Sequence, residues 1–259
     1  MNNHPYHMVN LSPWPITSSL GIFTMMMGTV TWMKLKNKEL MMIGTMMTIT
    51  CVIQWWRDIT RESTFQGNHT KKIMMMMKTG MILFITSEIF FFISFFWSFF
   101  HSSLSPNMEM GMNWPPEGIK PLNPMSVPML NTMILLSSGM SITWAHNSML
   151  MNKINMTKQS MLITMILGVY FTIIQMMEYY ETSFSMADSI YGSTFFMMTG
   201  FHGIHVMIGT VFIIISFIRI MKMHMSKYHN IGFELSAWYW HFVDLVWLFL
   251  YISVYWWGT

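Results

Sequence analysis

Glu88 is the residue whose type and position stand out most. It lies inside a long apolar stretch and is followed by two aromatic runs, 90–92 and 95–97. A charge at the centre of a bilayer costs about 2.5–3.5 kcal/mol on insertion scales. We therefore expect the carboxyl to be protonated or to face a partner inside a helix bundle. It could relay protons, or it could be a structural carboxyl bonded to a neighbouring helix. Because no relay partner is visible in the same helix, we favour the structural interpretation.

His202 and His205 form the second candidate. Their spacing of three puts both imidazoles on one face of a helix, where they could begin a metal or haem site. Nothing in the sequence groups further ligands with them. The same segment contains glycines that allow close helix approach: Gly200, Gly203 and Gly209. We therefore expect a tightly packed helix with histidines bonded across its interface, and no metal.

His241 and Asp244 also share a helix face by their spacing. An aspartate can fix the tautomer of a nearby histidine, which is a common device in proton handling. The same two residues could instead be a buried polar pair that links helices. The structural role is the one we expect.

The segment 54–70 is dense in polar groups beside an aromatic pair. Arg57, Arg61 and His69 can bind phosphate, and Trp55 and Trp56 can pack on acyl chains. Basic pockets between helices hold anionic lipid headgroups in this way. Residues at the same membrane level could complete the pocket: Arg219, Lys222 and His224. The alternative is ordinary topology-determining charge with ion pairs such as Arg57–Asp58 or Arg61–Glu62, and the segment alone leaves both open.

The composition indicates the elements that must position these groups. Only 10% of the 259 residues are charged, against about 25% in soluble domains, and the mean hydropathy is +0.41. A disulfide scaffold is excluded because Cys51 is the only cysteine. The small net charge of +3 does not suggest nucleic-acid binding. An all-α membrane protein with several spanning helices remains.

Apolar stretches of about 20 residues predict membrane helices. Seven occur, and the first two are joined so closely that an antiparallel hairpin is expected. Their approximate bounds are 16–33, 40–56, 73–100, 127–151, 159–180, 190–220 and 233–257. They form one transmembrane domain, 1–259.

The distribution of basic residues predicts the topology. Basic residues concentrate on the inner face of a membrane. Most of the lysines and arginines fall on one side of the seven spans, the side of the N-terminus: Arg57, Arg61, Lys71, Lys72, Lys78, Lys153, Lys158, Arg219, Lys222 and Lys227. The other side has Lys34, Lys36, Lys38 and Lys120. The N-terminus is therefore expected inside and the C-terminus outside.

Motifs along nearly the whole chain resemble those of the cytochrome c oxidase subunit III family. They include Ser12-Pro-Trp-Pro, Gln54-Trp-Trp-Arg-Asp, Arg61-Glu-Ser-Thr-Phe-Gln-Gly, Ser87-Glu, Trp114-Pro-Pro, Thr143-Trp-Ala-His, Glu178-Tyr-Tyr-Glu, Thr199-Gly-Phe-His-Gly, Ala237-Trp-Tyr-Trp-His-Phe-Val-Asp and Tyr255-Trp-Trp-Gly. Asn147 departs from the family, which usually has a second histidine there. That departure weakens any role for paired imidazoles at this point.

The resemblance implies a fold and a set of contacts. The seven helices would divide into a pair at about 16–56 and a group of five at about 73–257, with a cleft that holds structural phospholipids and has Glu88 nearby. Lipid contacts are implied at Trp55, Trp56, Arg61, Glu62, His69, Arg219 and Lys222. The chain would hold no metal and no redox cofactor, since haem and copper belong to the partner subunits I and II.

The resemblance also implies an activity. The complex passes electrons from cytochrome c to oxygen and pumps protons, and this chain, together with accessory subunits, would support its catalytic subunit. It would aid proton supply and oxygen access from the mitochondrial inner membrane, with its N-terminus in the matrix and its C-terminus in the intermembrane space. The alternative is an independent transporter or channel with a polar path through Glu88, His202, His205 and His241.

Overall fold

The computed structural model describes residues 6–108 and 111–258. These residues form seven α-helices and no named strand, which confirms the predicted all-α architecture. The helices are α1 (Trp14–Leu35), α2 (Glu39–Thr64), α3 (Lys71–Leu104), α4 (Val127–Leu150), α5 (Ile154–Glu181), α6 (Ile190–Met221) and α7 (Ile231–Leu250), and α7 continues as a π-helix over Tyr251–Trp257. Among the described residues, α3, α5, α6 and α7 with its extension are long and apolar enough to cross a membrane.

The helix bounds correct the expected ends of two spans, 40–56 and 159–180. Residues 57–64, which we expected in a loop, continue α2 to Thr64. Lys158, also expected in a loop, lies inside α5. Hydropathy ends a span where the polar residues begin, but a helix can continue into water or headgroups because its backbone bonds are internal. Arg57, Arg61 and Lys158 therefore lie on helical turns.

The chain divides into two compact units, Met1–Met77 and Lys78–Thr259, and the division falls within α3. The grouping by helices, a pair at 16–56 and five helices at 73–257, stays a prediction. Residues 1–5 and 259 lie outside the described residues, so the expected locations of the two termini stay predictions as well.

The first unit is built on an antiparallel hairpin of α1 and α2. Lys36, with φ of 56°, ends α1 in the left-handed conformation, and its backbone N–H donates to the carbonyl of Trp32. A Cβ at Gly28 would overlap the backbone of Met41, and one at Gly44 would overlap that of Met25. The two helices therefore approach with their backbones in direct contact, as small residues allow in membrane helix pairs.

In the second unit, α4, α5, α6 and α7 form a closed arrangement. Each packs on the next, and α7 returns to pack on α4. Trp240 lies at its centre, fully buried, and its indole Nε1 donates to Ser138 Oγ at 2.9 Å. Its ring fills the space beside Gly168 of α5 and Gly209 of α6, where added Cβ atoms would come within 2.7 and 2.9 Å of ring carbons. One side chain of α7 thus joins three other helices.

The glycines of α6 are not equivalent. Gly209 permits close packing, as expected. Gly200 and Gly203 do not, since no described atom lies within 4 Å of a Cβ placed at either position. Our expectation of close helix approach was wrong for these two residues, because they lie on a different face of the helix from Gly209.

Candidate functional site

Glu88 of α3 meets His205 of α6. The Oε2 atom of Glu88 lies 3.0 Å from His205 Nε2, and His205 Nδ1 lies 2.7 Å from the backbone carbonyl of Phe201. A carbonyl oxygen only accepts, so Nδ1 must carry hydrogen. The Nε2 atom then either accepts from a protonated Glu88 or donates to an ionised one. In both states, one proton is shared between the two side chains.

Aromatic rings enclose this pair. The ring centroid of Phe92 lies 5.0 Å from that of His205, and the Tyr239 ring is stacked at 6.4 Å. The side chain of His205 is 11% exposed and that of Glu88 is 22% exposed. The surroundings of low polarity strengthen the hydrogen bond and make separation of its charges costly. The arrangement can therefore hold a proton close to the surface of the bundle.

His202 does not join its neighbour His205. It is 1% exposed, and its ring packs at 5.2 Å from Trp247 and at 5.8 Å from Phe171. Among the described residues, neither ring nitrogen of His202 has a hydrogen-bond partner. The two histidines thus face different helices and do not converge on a common point. The described part of the chain contains no group of three or more His, Cys, Asp or Glu side chains able to hold a metal ion.

His241 and Asp244 lie together against α4. A Cβ at Gly139 would be 3.0 Å from Asp244 Oδ2 and 3.8 Å from His241 Nδ1, so the glycine makes room for both side chains. Within the described residues no hydrogen bond joins them, and Asp244 Oδ1 is buried without a partner. The shared face is present, but the bond that would fix a histidine tautomer is not. Their expected structural role stays a prediction.

The first unit contains a groove of about 550 Å³ near the C-terminal end of α2. Trp55, Arg61, Glu62 and His69 line it, together with residues that precede α1. Trp56 does not line it and is 46% exposed. Four of the residues expected to contact lipid therefore surround one concave surface.

Two hydrogen bonds tie the segment 7–14, which ends at the first residue of α1, to α2 at this groove. His7 Nε2 lies 3.1 Å from Glu62 Oε2, and Trp14 Nε1 donates to Asp58 Oδ2 at 2.7 Å. The Trp14 bond, followed by the neighbouring arginines, lowers the pKa of Asp58 below its usual value. The ion pair Arg57–Asp58 is present at 3.3 Å, whereas Glu62 pairs with His7 in place of the expected Arg61.

Arg219 and Lys222 belong to the second unit. Arg219 is in the last turn of α6, where a Cβ at Gly232 would lie 2.7 Å from its Nη1 atom. Lys222 follows as the helix cap and is exposed. Their contribution to a lipid site stays a prediction.

The sequence analysis did not predict a buried polar cluster that forms around Glu178. The Tyr255 hydroxyl, on the π-helical extension, donates to Glu178 Oε1 at 2.6 Å. Gln175 Nε2 lies 3.4 Å from the same oxygen, and Asn131 Nδ2 donates to Gln175 Oε1 at 3.3 Å. Glu178 is only 2% exposed. The signal that marks Glu88, a carboxyl within an apolar stretch, was also present here, but Glu178 was interpreted only as part of a motif at the end of a span.

The second unit also contains an ion pair between α3 and α7. Lys78 Nζ lies 2.8 Å from Glu234 Oε1, and both side chains are partly exposed. Lys78 lies in the N-terminal part of α3, and Glu234 lies in the first turn of α7. The contact therefore links the same two helices that hold Glu88 and Tyr239.

Comparisons with known proteins agree on one family. The family model described as cytochrome c oxidase subunit III matches residues 4–259. Cytochrome c oxidase subunit 3 of Aedes aegypti is 56% identical over 257 residues, which cover 99% of this chain and 98% of the relative. The proteins of the same name from Pelomedusa subrufa and Homo sapiens are 56% and 54% identical, with the same coverage. The chain therefore belongs to the cytochrome c oxidase subunit III family.

Proposed function

We propose that the chain is a supporting core subunit of the respiratory terminal oxidase, in which it holds a proton-bearing pair and a phospholipid headgroup beside the catalytic subunit. Membership of the family and the four long apolar helices support a membrane-bound oxidase subunit. Haem and copper would reside in subunits I and II. Accessory subunits would complete the complex in the mitochondrial inner membrane.

The observation that carries the proposal is the hydrogen bond between Glu88 and His205. A carboxyl and an imidazole that share one proton can take up or release it with little movement of heavy atoms, because both groups stay hydrogen-bonded in either state. Intramembrane carboxyls with such partners mark proton pathways. The pair would therefore support proton supply to the oxidase, while the electron-transfer chemistry remains in the partner subunits.

The experiment is Glu88→Gln in the assembled oxidase. Glutamine keeps the size and a hydrogen-bonding oxygen but cannot carry an exchangeable acid proton. We expect the complex to assemble and to oxidise cytochrome c, with slower proton uptake during turnover. His202→Asn is the matched control, since it removes an imidazole one turn away that does not touch Glu88. Proton uptake that is unchanged in Glu88→Gln, or equally slowed in both variants, contradicts the proposal.

The groove in the first unit supports the lipid part of the proposal. Arg61 and His69 offer donors for a phosphate, and the ring of Trp55 offers an apolar wall. The groove lies where α2 extends past its apolar stretch, which is the level of headgroups for a spanning helix. A phospholipid bound there would be held by its head and covered by the segment before α1.

The rival function, an independent transporter, requires a continuous polar path. Glu88 and His205 meet, but His202 packs among the rings of Phe171 and Trp247. His241 lies against Gly139 of α4. The different surroundings of these three histidines favour the supporting role over a transporter. Activity of the isolated chain in liposomes, without haem-bearing partners, would favour the transporter instead.

A further inference from the structure

The turn between α1 and α2 concentrates positive charge. Lys34, Lys36 and Lys38 fall within five residues of one another, on the side of the spans that has few basic residues. The positive-inside rule gives no reason for lysines there, because it places them on the opposite side. Among the described residues no ion pair joins any of the three to Glu39, the acidic residue of the following helical turn. In the described protein, no carboxylate lies within ion-pair distance of these three ammonium groups, and the turn carries a net positive charge.

The backbone of the turn arranges two of the three lysines around a groove. Lys36 takes the left-handed conformation with φ of 56°, which turns the chain sharply after α1. Lys38 Nζ lies 5.3 Å from the centre of the Trp32 ring, within the range of a cation–π contact. The groove has a volume of about 510 Å³ and is lined by Trp32, Met33, Lys36 and Lys38. Lys34 is exposed but does not line it.

The lining combines two kinds of chemistry. Two ammonium groups can neutralise a phosphate. Beside them, the Trp32 ring and the Met33 side chain, which is 79% exposed, offer an apolar surface on a membrane helix. A phosphate joined to an acyl chain matches both halves, since tryptophan is typical of the headgroup level of membranes. A soluble anion would use the lysines but leave the apolar half without a function.

We propose that this groove binds the phosphate group of an anionic phospholipid, with an acyl chain along Trp32 and Met33. The site is distinct from the groove at Arg61 and His69. The 26 residues of α2 separate the two ends of the hairpin, and at 1.5 Å per residue this is about 39 Å. One lipid molecule cannot fill both sites, so the helix pair holds a headgroup at each end.

The test measures the reactivity of the three lysines in the assembled oxidase. The complex is placed in nanodiscs of phosphatidylcholine alone, of phosphatidylcholine with cardiolipin, or of phosphatidylcholine with inorganic phosphate in the buffer. Acylation of each lysine amine is followed by peptide mass spectrometry. We expect cardiolipin to slow acylation of Lys36 and Lys38 about fivefold relative to Lys34, the factor that corresponds to ~1 kcal/mol per lysine at an anionic surface. Inorganic phosphate should leave all three rates unchanged.

Other outcomes overturn the proposal. Equal slowing at Lys34, Lys36 and Lys38 would mean diffuse attraction to a charged surface, without a site. No slowing by cardiolipin, or protection by inorganic phosphate without protection by the lipid, would also exclude a phospholipid site. Since these arms use the unaltered protein, they decide the question even where a variant fails to assemble.

Variants provide a second readout. Lys36→Ala with Lys38→Ala should remove one cardiolipin from the complex, as counted by native mass spectrometry. Lys34→Ala is the matched control: it removes a positive charge from the same turn without altering the groove, and it should leave the count unchanged. Loss of the lipid in Lys34→Ala to the same extent would contradict the proposal.

Discussion

Glu88 and His205, which are 117 positions apart in the chain, share a hydrogen bond of 3.0 Å between α3 and α6. The other nitrogen of the imidazole is bonded to the Phe201 carbonyl, which fixes the ring orientation and the position of one hydrogen. The second proton therefore lies on one of two atoms, Glu88 Oε2 or His205 Nε2.

The first prediction concerns that proton. Because the pair lies among aromatic rings, the neutral state, with the proton on Glu88, avoids the cost of two charges in apolar surroundings. We expect the infrared spectrum of the oxidase to contain a protonated-carboxyl C=O band that shifts in D₂O and disappears in Glu88→Gln. Glu234→Gln is the control, since Glu234 pairs with Lys78 and should be ionised. If the wild-type and Glu88→Gln spectra have the same carboxyl bands, the pair is an ion pair and the prediction is wrong.

The second prediction concerns the two arginines expected to contact lipid, Arg61 and Arg219. Combining Arg61→Ala with Arg219→Ala should lower the phospholipid that co-purifies with the oxidase, because each arginine can bind a phosphate through two N–H groups. Each substitution should weaken binding about fivefold, from ~1 kcal/mol per basic group at an anionic surface. Phosphorus analysis of the purified complex measures this.

Arg57→Ala is the matched control for the lipid measurement. Arg57 precedes Arg61 by one turn of α2, but it pairs with Asp58 and does not line the groove. A lipid content that is equal in the double variant and in Arg57→Ala would contradict the proposed headgroup site.

The third prediction concerns Trp240 and the glycines beside it. A methyl group at Gly168 would lie 2.5 Å from Thr210 Cγ2 and 2.7 Å from the Trp240 ring. Overpacking of this kind costs about 1–3 kcal/mol, so Gly168→Ala should lower the thermal midpoint of the complex. Gly203→Ala should not, because a Cβ there meets open space among the described atoms. Equal midpoints for the two variants would show that the ring can move aside at no cost.

The fourth prediction concerns pH and the Trp14–Asp58 bond. The indole N–H stabilises the ionised carboxyl, so the pKa of Asp58 is lower when the bond is formed than in the unfolded chain. A lowered pKa means that the contribution is fully present above the usual aspartate value of 3.8 and is lost as the pH falls through the lower, folded value. At neutral pH the tether should be independent of pH.

Protease sensitivity of the segment before α1 measures the tether. Trp14→Phe keeps the aromatic ring but removes the donor, and it should raise cleavage at neutral pH to a level that acid no longer increases. Wild-type cleavage that changes between pH 8 and pH 5, a range chosen to lie well above the aspartate pKa, would contradict the assignment of the tether to the Trp14–Asp58 bond.

The sequence predicted the parts of the fold that depend on local composition. Apolar runs indicated seven helices, and the structure has them. The same reasoning ended the second span at Trp56, eight residues before α2 ends at Thr64. Hydropathy reports where a segment prefers to lie, whereas helix formation depends on backbone bonds that polar residues tolerate equally well.

Contacts between distant residues could not be predicted in the same way. Glu88 was recognisable as a carboxyl in an apolar stretch, but its partner lay on another helix, and the spacing of His202 and His205 suggested that they act together. The structure directs one ring to α3 and the other to Trp247. A spacing of three positions on one helix still leaves an angle of about 60° between side chains, since each residue turns the helix by about 100°. That angle is enough to give the two rings different neighbours.

The backbone contact between α1 and α2 at Gly28 and Gly44 has a mechanical consequence. Because the two backbones touch at both glycines, one helix cannot slide along the other without overlap. Tilting of the whole hairpin is therefore the easier response to a thicker or thinner bilayer. A residue larger than glycine at either point would loosen this coupling. The hairpin could then respond to a change in membrane thickness by sliding of its helices as well as by tilting.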